Sequence, residues 1–207
     1  LKMTPLVSAK WRWWIVALLC LWLFIGLVRQ AKAEGLLGDI ESLQGSFTQE
    51  ISNAQGTVTA ASRGVFALLR PHFFMWEITA PGKQRLISDG EFFWQYDKDL
   101  STVIRRPLEG QLNSPLGVLL VADEALQKRY EFTRSATEII LKPLAPSPMF
   151  TSMQVTLNQG IPVAVLVTDN LDQSIRFKLS PDNSALLTPA DFVFDPPSDA
   201  DITIVKP

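Results

Sequence analysis

The spacing of apolar residues changes twice along the chain. From Trp13 to Val28 the run WWIVALLCLWLFIGLV carries no charge. Between Glu34 and Gln44, Leu36, Leu37, Ile40 and Leu43 recur at helical spacing, which predicts a helix stopped at Gly45. From Phe47 onward the period is two for most of the chain, the mark of strands with one buried face.

Turn residues cut that second region into short pieces. Phe47 to Ile51 reads as a strand closed by Asn53-Ala54-Gln55-Gly56, and Thr57 to Leu69 as a longer one broken at Arg70-Pro71. Phe73 to Thr79, Gln84 to Ser88, Glu91 to Tyr96 and Thr102 to Arg106 follow, with Asp89-Gly90 the clearest hairpin signal. The pattern breaks at Ser114-Pro115, where a capping serine and a proline suited to a first helical turn precede Leu116, Leu119 and Leu120. A short helix is predicted there, with a second over 123–128. Strands resume at Tyr130–Thr133, Glu138–Lys142, Met153–Leu157, Val163–Thr168 and Ser174–Leu179. Thr188 to Asp191 reads as a helical turn, and Phe192–Phe194 and Ile202–Val205 as closing edge strands. So many short strands at this spacing predict one all-β sandwich or barrel with a few helical pieces.

The uncharged run has its own meaning. It follows Lys10 and Arg12 and ends in Ala31-Lys32-Ala33, the layout of a secretory signal over residues 1–33, with cleavage after Ala33. Its length also fits an uncleaved inner-membrane anchor. Cys20 is the single cysteine and follows Leu19, so it lacks the small residue that a lipidation site requires; a mature chain from Glu34 then has no disulfide and no cysteine ligand. Five of the 19 Lys and Arg precede residue 34 and none of the 21 acids does. The remainder has 14 basic and 21 acidic residues, net −7, which argues against a nucleic-acid partner.

Candidate chemistry is sparse. His72 is the single histidine, and a base needs a nucleophile and an orienting carboxylate beside it. A strand-end His is the simpler reading; a secreted hydrolase using His72 is the alternative. No hydrolase elbow, zinc motif or phosphate-binding glycine loop is present, so no metal, cofactor or catalytic residue is expected. The aromatic strands say more. Phe74, Trp76 and Ile78 alternate on one face, as do Phe92, Trp94 and Tyr96, Met153, Val155 and Leu157, and Val163, Val165 and Val167. Such faces build either a solid core, the commoner outcome, or the wall of an apolar cavity. Arg70, ending a long strand before the aromatic cluster, is either a solvated strand end or a donor to carbonyls at the rim of such a cavity.

These residues resemble the LolA family of lipoprotein carriers. Ser46-Phe47-Thr48-Gln49 is similar to the family's opening, Arg70-Pro71-His72-Phe73-Phe74-Met75-Trp76 to its Arg-Pro-x-x-Phe-x-Trp signature, and Ser88-Asp89-Gly90 with Trp94-Gln95-Tyr96-Asp97 to its next hairpin. Ser114-Pro115-Leu116 resembles its central helix, and Phe192-Val193-Phe194-Asp195-Pro196-Pro197 its closing segment. The order holds over roughly residues 34–205. The resemblance implies a mainly β fold, an incomplete antiparallel β-barrel with a helical lid over an apolar cavity. It implies a monomeric, non-enzymatic periplasmic chaperone that shields lipoprotein acyl chains. Cargo would come from an inner-membrane LolCDE-type ABC transporter and pass to an outer-membrane LolB-type receptor. By the resemblance Arg70 latches the lid. The cavity is lined by Leu37 and Leu43 on the first helix, by Phe74, Trp76 and Ile78 with Phe92, Trp94 and Tyr96 on the strands, and by Leu116, Leu119 and Leu120 on the central helix. Two other readings stand beside it: a LolA-like carrier for another lipid export pathway, and a membrane-tethered adaptor with a solid core.

Overall fold

The computed structural model describes residues 40–108, 128–147, 150–182 and 186–205. These form one 12-stranded sheet: β1 (Ser42–Ser52), β2 (Val58–Leu69), β3 (Phe73–Ala80), β4 (Gln84–Asp89), β5 (Phe92–Asp97), β6 (Thr102–Pro107), β7 (Tyr130–Arg134), β8 (Glu138–Pro143), β9 (Ser152–Asn158), β10 (Ile161–Thr168), β11 (Ser174–Pro181) and β12 (Asp201–Ile204). Their order across the sheet is β12-β6-β5-β4-β3-β2-β1-β11-β10-β9-β8-β7. Every pairing is antiparallel except that of β12 with β6. The fold is therefore mainly β and open, with β7 and β12 as its two edges. The predicted lid helices, with Leu37, Leu116, Leu119 and Leu120, lie outside the described residues.

The sheet is strongly curled. β3 and β11 are three strand spacings apart, about 14 Å on a flat sheet. Yet the rings of Trp76 on β3 and Phe177 on β11 meet edge to face with centroids 5.2 Å apart. Two glycines permit this curvature. A side chain at Gly64 would fall 1.8 Å from the Glu77 carbonyl oxygen and 2.8 Å from the Phe47 ring, so only glycine lets Phe47 lie over β2 and reach Trp76. Gly45 is the second case, and it corrects an expectation. It is not a helix stop; it lies inside β1, where a Cβ would come within 2.2 Å of the Ser180 carbonyl oxygen on β11.

Two further expectations are corrected. Ser42, Leu43 and Gln44 are strand, because each pairs with β2, from Ser42 opposite Leu69 to Gln44 opposite Ala67. Leu43 thus reaches the core from β1 and not from a helix. Phe192–Phe194 is not an edge strand. Pro189, Pro196 and Pro197 remove ladder donors around it, and the chain makes a 3-10 turn at Pro189–Phe192 instead. The Asp191 carboxylate accepts from both the backbone N–H and the hydroxyl of Thr188, and these bonds lower its pKa.

One charged cluster pins the convex side. Glu77 on β3 accepts from Arg85 Nε on β4 at 2.8 Å and from Lys98 Nζ at 2.5 Å. Burial raises the Glu77 pKa, but the bonds from Lys98 and Arg85 outweigh it and the net shift is downward. A depressed folded pKa means the stabilisation is present at neutral pH and lost as pH falls below about 4.3. Glu77→Gln is expected to cost about 1–2 kcal/mol at pH 7, since both partners are partly exposed. Urea unfolding of both proteins at pH 7 and pH 3 checks this: a gap that persists at pH 3 rejects the ionic account.

Candidate functional site

The two faces of the sheet are built differently, and strand register decides which aromatic lies where. On β3, Phe74, Trp76 and Ile78 point to the concave side. There a single apolar cluster gathers Leu43 and Phe47 from β1, Phe66 and Leu68 from β2, Ile139 and Leu141 from β8, Met153, Val155 and Leu157 from β9, Val165 and Val167 from β10, and Phe177 from β11. Trp76 is its hub. It stacks on Phe47 at 3.7 Å and lies 5.9 Å from Phe66 and 6.3 Å from Phe74. Ile78 is partly buried against the same cluster. The alternating runs Met153–Leu157 and Val165–Val167 face it together, with Val155 opposite Val165 and Met153 opposite Val167.

Phe92, Trp94 and Tyr96 are on the other side, so the two aromatic triplets do not share one wall. Trp76 pairs with Leu86, and Leu86 pairs with Gln95. Gln95 therefore shares the concave face, and Trp94 and Tyr96 share the convex one. Asp89 explains the register. Its carboxylate accepts from the backbone N–H groups of Glu91 and Phe92 and, at 2.6 Å, from the Trp94 indole. A one-residue slip of this hairpin would exchange every β5 side chain between faces.

The convex cluster joins Ile87, Trp94 and Val103 with Met75, Phe92, Tyr96, Phe194 and Ala200. The C-terminal segment covers it. Phe192 packs on Phe73 at 5.7 Å, and Phe194 lies 5.4 Å from Trp94 and 5.7 Å from Tyr96. Arg105 sits over the Phe92 ring at 4.4 Å. Apolar matter on β3–β6 is thus capped outside by the chain's own end. Sequence alternation had no means to show this, because contiguous aromatics such as Phe92-Phe93-Trp94 supply both faces at once.

Arg70 follows β2, and its backbone N–H donates to the Glu41 carbonyl at 2.8 Å, tying the β2–β3 turn to the start of β1. It continues the alternation of Phe66 and Leu68 and so stands at the rim of the concave face. His72 is exposed in the same turn, and its carbonyl accepts from the hydroxyl of buried Ser88. Among the described residues, no nucleophile or carboxylate hydrogen-bonds its ring, and no group of three His, Cys, Asp or Glu could hold a metal. Nor is any helix among them long and apolar enough to cross a membrane; the uncharged run 13–28 is not among them.

The chain is similar to known proteins over most of its length. A family model described as outer membrane lipoprotein carrier protein LolA matches residues 38–195. An outer-membrane lipoprotein carrier protein of Alkalilimnicola ehrlichii is 32% identical over 167 residues, covering 79% of this chain and 78% of that protein. Its counterpart in Halorhodospira halophila is 32% identical over 173 residues, 82% of each. One from Chromobacterium violaceum is 28% identical over 178 residues, 83% of this chain and 85% of that protein. The chain belongs to the LolA family of outer membrane lipoprotein carrier proteins.

Proposed function

We propose that this protein is a periplasmic chaperone that takes lipoprotein acyl chains onto the concave face of its sheet and carries them across the aqueous space. The observation that carries the reading is one curled, open sheet around one continuous apolar cluster. Each acyl CH₂ kept from water is worth about 0.8 kcal/mol, so a multiply acylated protein needs such a shelter. In this reading cargo is received from an inner-membrane LolCDE-type ABC transporter and handed to an outer-membrane LolB-type receptor, the carrier acting as a monomer without enzymatic activity; membership of a lipoprotein carrier family supports the carrier role. Phe74, Trp76 and Ile78 with Leu43 form the described part of the binding wall. Leu37, Leu116, Leu119 and Leu120 complete it by the family resemblance.

The test is native mass spectrometry of the protein released from the periplasm. Co-purified lipoprotein is the expected result. Co-purified lipid without protein would favour a carrier of another lipid export pathway, and an empty protein that also ignores acyl probes would reject the reading.

Arg70 is the proposed latch, supported by its place at the rim. If its guanidinium bonds lid carbonyls in the empty state, closing offsets part of the lost acyl contact when cargo leaves. Arg70→Leu removes about 1.4 kcal/mol of that offset. Lipoprotein should then bind normally and pass to the receptor roughly tenfold less completely. Transfer of labelled lipoprotein by the folded variant measures this, and normal transfer returns Arg70 to an ordinary strand end.

A further inference from the structure

The concave face is not uniformly apolar: Ser88, Gln95 and Arg106 stand among its apolar side chains. Two cross-strand rows run over it from β2 to β6. One passes through Leu68, Phe74, Ser88, Phe93 and Arg106, and the other through Phe66, Trp76, Leu86, Gln95 and Ile104. Both begin in buried apolar side chains. One reaches Gln95 and the other Arg106, neighbouring residues on β5 and β6, both partly buried. The Ser88 hydroxyl is committed to the His72 carbonyl. Arg106 donates through Nη1 to Gln95 Oε1 at 3.3 Å. A guanidinium has five N–H donors, and among the described residues Arg106 has no carboxylate partner, unlike Arg85, which is paired with Glu77. Its neighbour Arg105 points the other way, onto the convex rings.

We infer that Arg106, steadied by Gln95, binds the acidic oxyanion head of an amphiphile whose tail lies on the apolar end of the same rows. This rests on the proposed acyl-binding role of the concave face and extends the ligand class from acylated proteins to acidic lipids. Phe74 and Arg106 are three strand spacings apart, about 14 Å along the sheet before curling. That is a distance an acyl chain spans. A guanidinium at the margin of an apolar surface is also where a carboxylate or phosphate is recognised by paired N–H donors.

The experiment measures binding of two matched ligand pairs to the full mature protein at pH 8. One pair is oleate and methyl oleate; the other is dioleoyl phosphatidylglycerol and dioleoyl phosphatidylcholine in detergent micelles. The wild type is expected to prefer the acidic member of at least one pair by about tenfold. A preference in the first pair alone assigns a carboxylate head, in the second alone a phosphodiester head, and in both the oxyanion in general. Arg106→Gln should abolish the preference while leaving the neutral ligands bound as before. Arg106→Lys should retain part of it, and Arg105→Gln on the opposite face should leave it intact. Equal affinity within both pairs in the wild type overturns the inference while leaving the acyl site standing. So does an equal loss of acidic and neutral ligands in Arg106→Gln. Failure of all four ligands to bind overturns the acyl-binding reading itself. The wild-type comparison decides the matter even if a variant does not fold.

Discussion

Trp76→Ala and Trp94→Ala should each destabilise the protein by about 3–5 kcal/mol, and an acyl ligand should rescue only the first. The two residues are alike in burial, 4% and 9% exposed, and both are packed by aromatic neighbours. They differ in face. Removing Trp76 opens space between Phe47, Phe66 and Phe177 on the concave side, where an acyl chain can fill it. A ligand that binds the folded state alone raises its stability by mass action, and a ligand that also fills a void recovers part of the lost packing. Removing Trp94 opens space under Phe194 and takes the indole donor from Asp89 Oδ2, on a face closed by the chain's own C-terminal segment. Thermal melts with and without oleate measure the contrast. A larger ligand-induced rise in Tm for Trp76→Ala than for wild type, with no such excess for Trp94→Ala, is the expected pattern. Equal rescue of both would place ligand on both faces and remove the distinction drawn between them.

That distinction marks the limit of what the chain's pattern disclosed. Strand positions were legible because alternation is a local property. Met153, Val155 and Leu157 fall on one side wherever the strand is placed, and the predicted and observed spans differ by a residue or two at most of these strands. Which side of the sheet a strand presents to its second neighbour is not local. It depends on the hairpin register, here set by the three hydrogen bonds to Asp89. Hence Phe92, Trp94 and Tyr96 read as part of the same wall as Trp76, although the register puts them behind it. The start of β1 failed for a related reason. Leu36, Leu37, Ile40 and Leu43 satisfy helical spacing over little more than two turns, and pairing with β2 overrides so short a signal at its last residues. The polar pair on the concave face was invisible as well. Gln95 and Arg106 are 11 positions apart and become neighbours only across the β5–β6 ladder.

Phe74→Glu gives the sharpest test of whether the concave cluster is a ligand site or only a core. Phe74 is 2% exposed and lies between Leu68 on β2 and Ser88 on β4, toward the rim rather than at the Trp76 hub. An ionised carboxylate there has no water and costs several kcal/mol, which raises its pKa toward or above neutrality. The sign follows from that shift. For an acid whose folded pKa is raised, the penalty is full at high pH and vanishes as the group protonates on acidification. Acyl probe binding by Phe74→Glu should therefore be weakened more than tenfold at pH 8 and recover by about pH 5. Phe74→Ala, which removes similar packing but adds no charge, should bind at both pH values. Probe fluorescence read beside circular dichroism separates the two accounts. In a solid core, Phe74→Glu unfolds the sheet at pH 8, and binding is lost together with structure. In a binding wall, the sheet stays folded and the probe alone is excluded. A folded variant that binds the probe equally at pH 5 and pH 8 would show that acyl chains do not touch this face.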